Sequence, residues 1–348
     1  MFSEKQLSLK RMIPFLIVGI LIFVAYLYFF VGIPEMIAIL QRVDLFYYAL
    51  AVVVLFLNMI AVSLTWHFFL RPLSIKVHFR KTFLYTLIAV FVDLLVPAES
   101  VSGDATKAYL MTKGSSEKGG RVLASVVGHR ILHMIIPLVS LIFSLFVVFA
   151  RGIEVDFQVL ILIILVTVGI AISVFVIFLF SMNEKLTQKL IDTVLRFVGF
   201  VTRGHLNING LKTSATKGLS VFHASIDILR RNPKSFILPT LFALAGWLFS
   251  ILLPYLVFVS LGQQIDFVII IVVQSISVSI QSIPVGIPGE LGVVDSAMTW
   301  LYTLLAVEPA VGAAATVLIQ VLRVWLRIVV GFVAVQWIDL KNLTKYSR

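Results

Sequence analysis

Apolar residues recur along this chain in runs of about 20 or more, the length an α-helix needs to cross a hydrocarbon core of about 30 Å. Six runs predict one membrane span each: Met12–Val31, Asp44–Leu70, Val122–Ala150, Phe157–Ser181, Ser235–Ser260 and Val311–Trp337. The first is too long for the core of a signal peptide and lacks a small-residue cleavage site, so it is expected to stay as a span. Two further apolar regions are interrupted near their middles, Thr82–Leu110 by Pro97 and Phe267–Leu305 by Pro284 and Pro288. Proline lacks a backbone donor and crowds the preceding turn, so a helix breaks there. About 29 residues cannot cross the core twice, and Thr82–Leu110 therefore predicts a hairpin of two half-helices. The roughly 39 residues of the second region leave a hairpin and a pair of full spans both open. Non-helical backbone at membrane depth is tolerated only against protein or a water-filled cavity, so both breaks point toward a cavity.

Charge adds sidedness. Of the 28 lysines and arginines, all but Arg42, Arg151, Arg130, Arg323 and Arg327 fall in loops on one side if the N-terminus is cytoplasmic and each broken region returns to its side of entry. Arg42 and Arg151 lie on the other side with Glu35, Asp44, Glu154, Asp156, Asp266 and Glu308. This is the positive-inside pattern, and it accounts for the net charge of +11 without a nucleic-acid partner. With 60% hydrophobic and 13% charged residues, the chain is read as an all-α polytopic membrane protein with both termini cytoplasmic. Zero cysteines exclude disulfides, thiolate metal sites and cysteine nucleophiles.

The two breaks match each other. PAESVSGDATKAYL (Pro97 to Leu110) and PGELGVVDSAMTWL (Pro288 to Leu301) share Pro-x-Glu, an Asp seven residues after the proline, and an aromatic followed by Leu. Each precedes a span carrying a buried arginine, Arg130 and Arg323. The first hairpin enters from the cytoplasm and the second from outside, which describes an inverted-topology repeat, a pattern that builds midplane sites in transporters. One transmembrane domain over residues 1–348 is expected, with repeat 1 at about 44–150 and repeat 2 at about 235–337. Between them, at about 183–234, Lys185, Lys189, Asp192 and Arg196 oppose Leu186, Leu190, Val194, Phe197 and Val198. That basic amphipathic segment is expected on the inner membrane surface.

Asp93, Glu99, Asp104, Glu290, Asp295, Arg130, Arg323 and Arg327 fall at membrane depth, where each charge costs roughly 2.5–3.5 kcal/mol and must pair, snorkel or face water. Arg130 is expected to pair with Asp104, and Arg323 with Asp295. Glu99 and Glu290 are expected to cap the second half-helices, and Arg327 to snorkel. Guanidiniums match phosphate bidentately, so a cavity taking a phosphorylated head group is predicted. The polar run QSISVSIQS (Gln274 to Ser282) reads either as the lining of a pathway or as close helix packing. His129 and His133 have i, i+4 spacing without HExxH, and no metal site is read from them. Trp66 and His67 look interfacial.

With these residues in hand, the chain resembles the transmembrane region of lysylphosphatidylglycerol synthase and its stand-alone flippase-like relatives. The resemblance rests on Pro97, Gly103, Asp104 and Lys107, and on Pro288, Gly289, Gly292 and Asp295. The family usually has Glu and Arg where this chain has Asp104 and Lys107, and Glu at Asp295. About ten residues follow Trp337, so lipid aminoacylation is not expected. The resemblance implies a flippase or scramblase in the cell membrane, without cofactor, acting on a phospholipid or polyprenyl-phosphate lipid. Pathway proteins or a second copy are partners left open. The competing readings are a membrane-embedded enzyme on a lipid-linked sugar or phosphate, and a non-transporting scaffold.

Overall fold

The computed structural model describes residues 24–25, 28, 33–96, 101–115, 117–150, 157–201, 208–281 and 291–346. Every regular element among the described residues is helical. In chain order these are α1 (Ile33–Leu40), α2 (Leu45–Leu70), α3 (Phe79–Leu95), α4 (Val101–Ser115), α5 (Gly119–Ala150), α6 (Phe157–Met182), α7 (Glu184–Val201) and α8 (Ile208–Arg231). A 3₁₀ turn, Pro233–Phe236, leads into α9 (Ile237–Ser260), followed by α10 (Phe267–Ile280), α11 (Val293–Leu304) and α12 (Pro309–Gln320). A π-helical stretch, Val321–Leu326, joins α12 to α13 (Arg327–Tyr346).

Among the described residues, five stretches are long and apolar enough to cross a membrane: Leu45–Leu70, Gly119–Val147, Ile163–Met182, Pro233–Ser260 and Pro309–Ile338. They correspond to five of the predicted spans. The remaining one, Met12–Val31, lies outside the described residues apart from Val24, Ala25 and Tyr28. The hairpin-break residues Pro97, Pro284, Pro288 and Gly289, with Glu99 and Glu290, also lie outside them.

The half-helices flanking the breaks are short. At 1.5 Å per residue, α3 (17 residues) and α4 (15) reach about 25 and 22 Å, and α10 (14) and α11 (12) about 21 and 18 Å. None matches the hydrocarbon core. Helices α3 and α4 run antiparallel: a Cβ on Gly103 would meet Asp93 and come within 2.9 Å of the Ala89 carbonyl, while one on Gly114 would meet Tyr85 and Lys81. Only hydrogens at these positions let the two backbones approach so closely. The Lys81 ammonium donates to the Gly114 carbonyl and closes the open end.

Helices α2 and α9 form the most extensive helix pair. They too are antiparallel. The Asp44 N–H donates to Ser260 O at 2.7 Å at one end, and Phe68 stacks on Phe242 with centroids 5.2 Å apart near the other. Asp44 also caps α2, accepting from the Phe46 N–H at 2.8 Å, which explains why the helix starts at Leu45.

Packing around this pair is reciprocal. Helix α3 of the first half lies on α13 of the second, and α10 of the second half lies on α5 of the first. The α3–α13 contact is tight, since a Cβ on Gly331 would fall 2.5 Å from Phe91 Cβ and 3.1 Å from Leu87 O. Trp66 and His67, expected at an interface with water, are buried instead. The Trp66 indole donates to Ser125 Oγ at 3.1 Å and His67 Nδ1 lies 3.1 Å from Thr82 Oγ1, because α5 and α3 cover that end of α2. Helix α7 keeps Leu190 and Val194 exposed, and a 2.9 Å Asp192–Lys212 bridge ties it to α8.

Candidate functional site

Five helical segments converge on a cavity of about 220 Å³. Each contributes one face at helical spacing: Asn58 and Val62 from α2; His133, Ile136 and Pro137 from α5; Ala243, Gly246, Trp247 and Ser250 from α9; Gln274, Val278 and Gln281 from α10 and its end; and Arg323 with Arg327. Among these lining residues are two arginines and no acid.

Arg323 sits in the π-helical stretch and donates through Nη1 to Gln274 Oε1 at 2.9 Å. Arg327 donates through Nη2 to Asn58 Oδ1 at 3.0 Å, and Asn58 Nδ2 in turn donates to Gly246 O at 2.7 Å. Both guanidiniums bond neutral amides, so neither of these bonds cancels a positive charge. Three lining residues also carry a buried nitrogen without a hydrogen-bond partner among the described residues: His133 Nε2, Gln274 Nε2 and Arg327 Nε. Buried polar atoms are nearly always satisfied, so these three nitrogens call for partners beyond the described residues. The wall is held shut between α9 and α5 by Trp247, whose indole donates to Ser140 Oγ at 2.8 Å.

The predicted ionic pairs divide. Arg130 meets Asp104 as expected, Nη1 to Oδ2 at 3.0 Å, and Lys107 Nζ reaches the other oxygen at 3.3 Å. Asp295 does not meet Arg323. Its Oδ2 accepts the Gly292 N–H at 2.6 Å, a cap made possible because Gly292 takes φ +87°, open to a residue without a Cβ. With its carboxylate folded back onto its own helix, Asp295 leaves Gln274 to meet Arg323. Arg327 does not snorkel either, because Asn58 holds it in the bundle.

The expected cap of α4, Glu99, lies outside the described residues, and within them the helix start is held from across the hairpin. Asp93, on the facing helix, accepts from Ser102 Oγ at 2.6 Å and from the Gly103 N–H at 2.5 Å. Asp104 and Asp295, equivalent by sequence, therefore do different work: one bridges two cations and the other caps.

Asn58 and His133 went unread as site residues. A lone Asn in an apolar span is costly without a partner, and that was the available signal. Within QSISVSIQS, Gln274 and Gln281 do line the cavity, while Ser277 Oγ turns back to Val273 O at 2.7 Å. The His129 and His133 rings stack loosely, with centroids 4.4 Å apart, and no group of three metal-ligating side chains occurs among the described residues.

The architecture is that of a polytopic helical membrane protein with a cationic, donor-rich cavity among its helices. The chain belongs to the lysylphosphatidylglycerol synthase TM region family, whose sequence signature runs over residues 16–331. It is similar to the UPF0104 membrane protein PH1989 of Pyrococcus horikoshii, 26% identical over 324 residues covering 92% of this chain and 95% of that one. A UPF0104 membrane protein of Methanothermobacter thermautotrophicus is 25% identical, covering 86% and 87%. The UPF0104 membrane protein MJ1595 of Methanocaldococcus jannaschii is 23% identical, covering 90% and 91%.

Proposed function

We propose that this protein is a lipid flippase or scramblase of the cell membrane that passes a phosphate-bearing head group through the cavity between its two halves. The observation that carries this reading is that the described lining residues include Arg323, Arg327 and three buried nitrogens without a described partner, and no acid, at the meeting point of five helical segments. A phosphate supplies several acceptor oxygens and matches the planar guanidinium fork. In this reading the lipid is carried without covalent chemistry.

The proposal includes the transport topology: six full spans, α3/α4 and α10/α11 as re-entrant hairpins, and both termini in the cytoplasm. The short half-helices and the reciprocal packing of α3 on α13 and α10 on α5 support an inverted repeat. Rocking one half against the other would then alter which face of the membrane the cavity meets. In this scheme the Asp104–Arg130–Lys107 cluster braces the first hairpin rather than holding the lipid.

The test is translocation of head-group-labelled phospholipid and polyprenyl-phosphate probes in liposomes containing only this protein. An Arg323→Ala/Arg327→Ala variant is expected to lose translocation while keeping a monodisperse fold, and the double lysine variant to keep part of it. Transport that survives the alanine variant, or no transport of any phosphate lipid by the wild type, refutes the reading.

A further inference from the structure

Beside the polar cavity lies a second one of about 350 Å³, within the range of ligand pockets and lined by Met134, Leu165, Val166, Ile170 and Ile280, with Gly169 and Ser173. The two cavities share three walls: His133, Pro137 and Val278. One is rich in donors and the other almost entirely apolar. They lie on either side of a common partition.

Along the apolar groove α6 leaves open space beside Gly169. A Cβ built on Gly169 meets no heavy atom within 4 Å, in contrast to the tightly packed glycines at other helix contacts. Around it α6 turns Leu165 and Ile172 outward, 64% and 57% exposed, toward the surface that lipid covers in a membrane. Pro137 lies opposite, inside α5. Having no N–H, it leaves the carbonyl of residue 133 without its usual intrahelical donor and loosens the helix at the partition.

We infer that the α5–α6–α10 groove is the seat of a hydrocarbon tail of the transported lipid, and that α6 is the side through which that lipid enters laterally. This rests on the head-group reading of the adjoining cavity. A head group next to Arg323 and Arg327 needs a tail route that never crosses polar surface, and the groove begins where the donors end. The ligand class is thus a lipid whose phosphate lies close to the start of its hydrocarbon. Isoprenyl monophosphates and diacylglycerol phosphates share that chemistry.

Two probes separate these sources: farnesyl phosphate with a diazirine on its terminal unit, and phosphatidic acid with a diazirine at one acyl end. Each is photolysed with the full chain in liposomes and the adducts are mapped by mass spectrometry. Adducts on residues 165–173 and on Met134, competed by the unlabelled lipid, are expected for whichever class is the substrate. A Gly169→Trp variant is expected to lower labelling and translocation about tenfold. Thermal stabilisation by glycerol 3-phosphate, which has no tail, is expected to be the same in Gly169→Trp as in wild type.

Adducts of both probes confined to other helices would overturn the groove, whatever the variant does. If stabilisation by glycerol 3-phosphate still depends on Arg323 and Arg327 in that case, the head-group reading stands and only the tail route fails. If it does not depend on them, the head-group reading fails as well.

Discussion

Replacing Asn58 by Asp separates stability from anion handling at a single atom pair. In the native chain Asn58 accepts from Arg327 at 3.0 Å and donates to Gly246 O at 2.7 Å. Aspartate keeps the first bond, already charge-assisted by the guanidinium, and turns it into a salt bridge with charge on both partners. It loses the second, and interhelical side-chain bonds in membranes average about 0.6 kcal/mol. The two changes oppose each other, so thermal stability is expected to stay within about 1 kcal/mol of wild type. The effect on a bound phosphate is not balanced. A new negative charge about 5 Å from it, at an effective dielectric constant of about 20, costs about 3 kcal/mol. That corresponds to roughly two orders of magnitude in affinity. Unfolding in detergent and translocation in liposomes would be measured side by side, with Asn58→Gln as the neutral control. A well-folded Asn58→Asp protein that moves phosphate lipids at the wild-type rate would show that no anion passes Arg327.

Further outcomes follow from the same structure. Arg130→Ala leaves Asp104 with Lys107 alone and is expected to cost about 1–3 kcal/mol, discounted for partial exposure; replacing the whole cluster, Arg130→Met with Asp104→Leu and Lys107→Met, should recover most of it in a detergent melt. Gly331→Leu drives a side chain into Phe91 and Leu87 and is expected to separate α3 from α13, seen as loss of the monodisperse peak, whereas Gly169→Leu is tolerated. Asp93→Leu removes both bonds to the start of α4 and should raise amide exchange over residues 101–106, while Asp93→Asn retains an acceptor and most protection. Because the chain has no cysteine, Lys76→Cys and Gln263→Cys are unique thiols; an impermeant maleimide should label the first only from the cytoplasmic side and the second only from outside.

Five of the spans, and the short helices on either side of both predicted breaks, are legible in the sequence because membrane length and proline chemistry leave few alternatives. Arg130–Asp104 is legible too, since both charges must find a partner at depth and one is near. Arg323 with Asp295 has a similar spacing, 28 residues against 26, and a different outcome. There a glycine with positive φ, three residues before Asp295, offers its N–H, and a local bond needs no tertiary rearrangement. The partners of Arg323 and Arg327 come instead from Gln274 and Asn58, 49 and 269 residues away, a pairing set by how α2, α9 and α10 cross. No periodicity carries that information. The loose seating of α6 is equally hidden, because its continuous apolar run reads the same whether the helix is packed or bathed in lipid.

The crossed bracing of the halves has a consequence for biosynthesis. Helix α3 is complete by residue 95, yet the α13 surface that covers it begins at residue 327. Phe91 and Leu87 must therefore wait through most of translation before Gly331 arrives to seal them. During that interval α3, at 17 residues too short to span the hydrocarbon core, has only α2 and α4 against it. A chain in which α13 fails to insert would keep that face of α3 uncovered, so the packing of an early helix reports on the insertion of a late one.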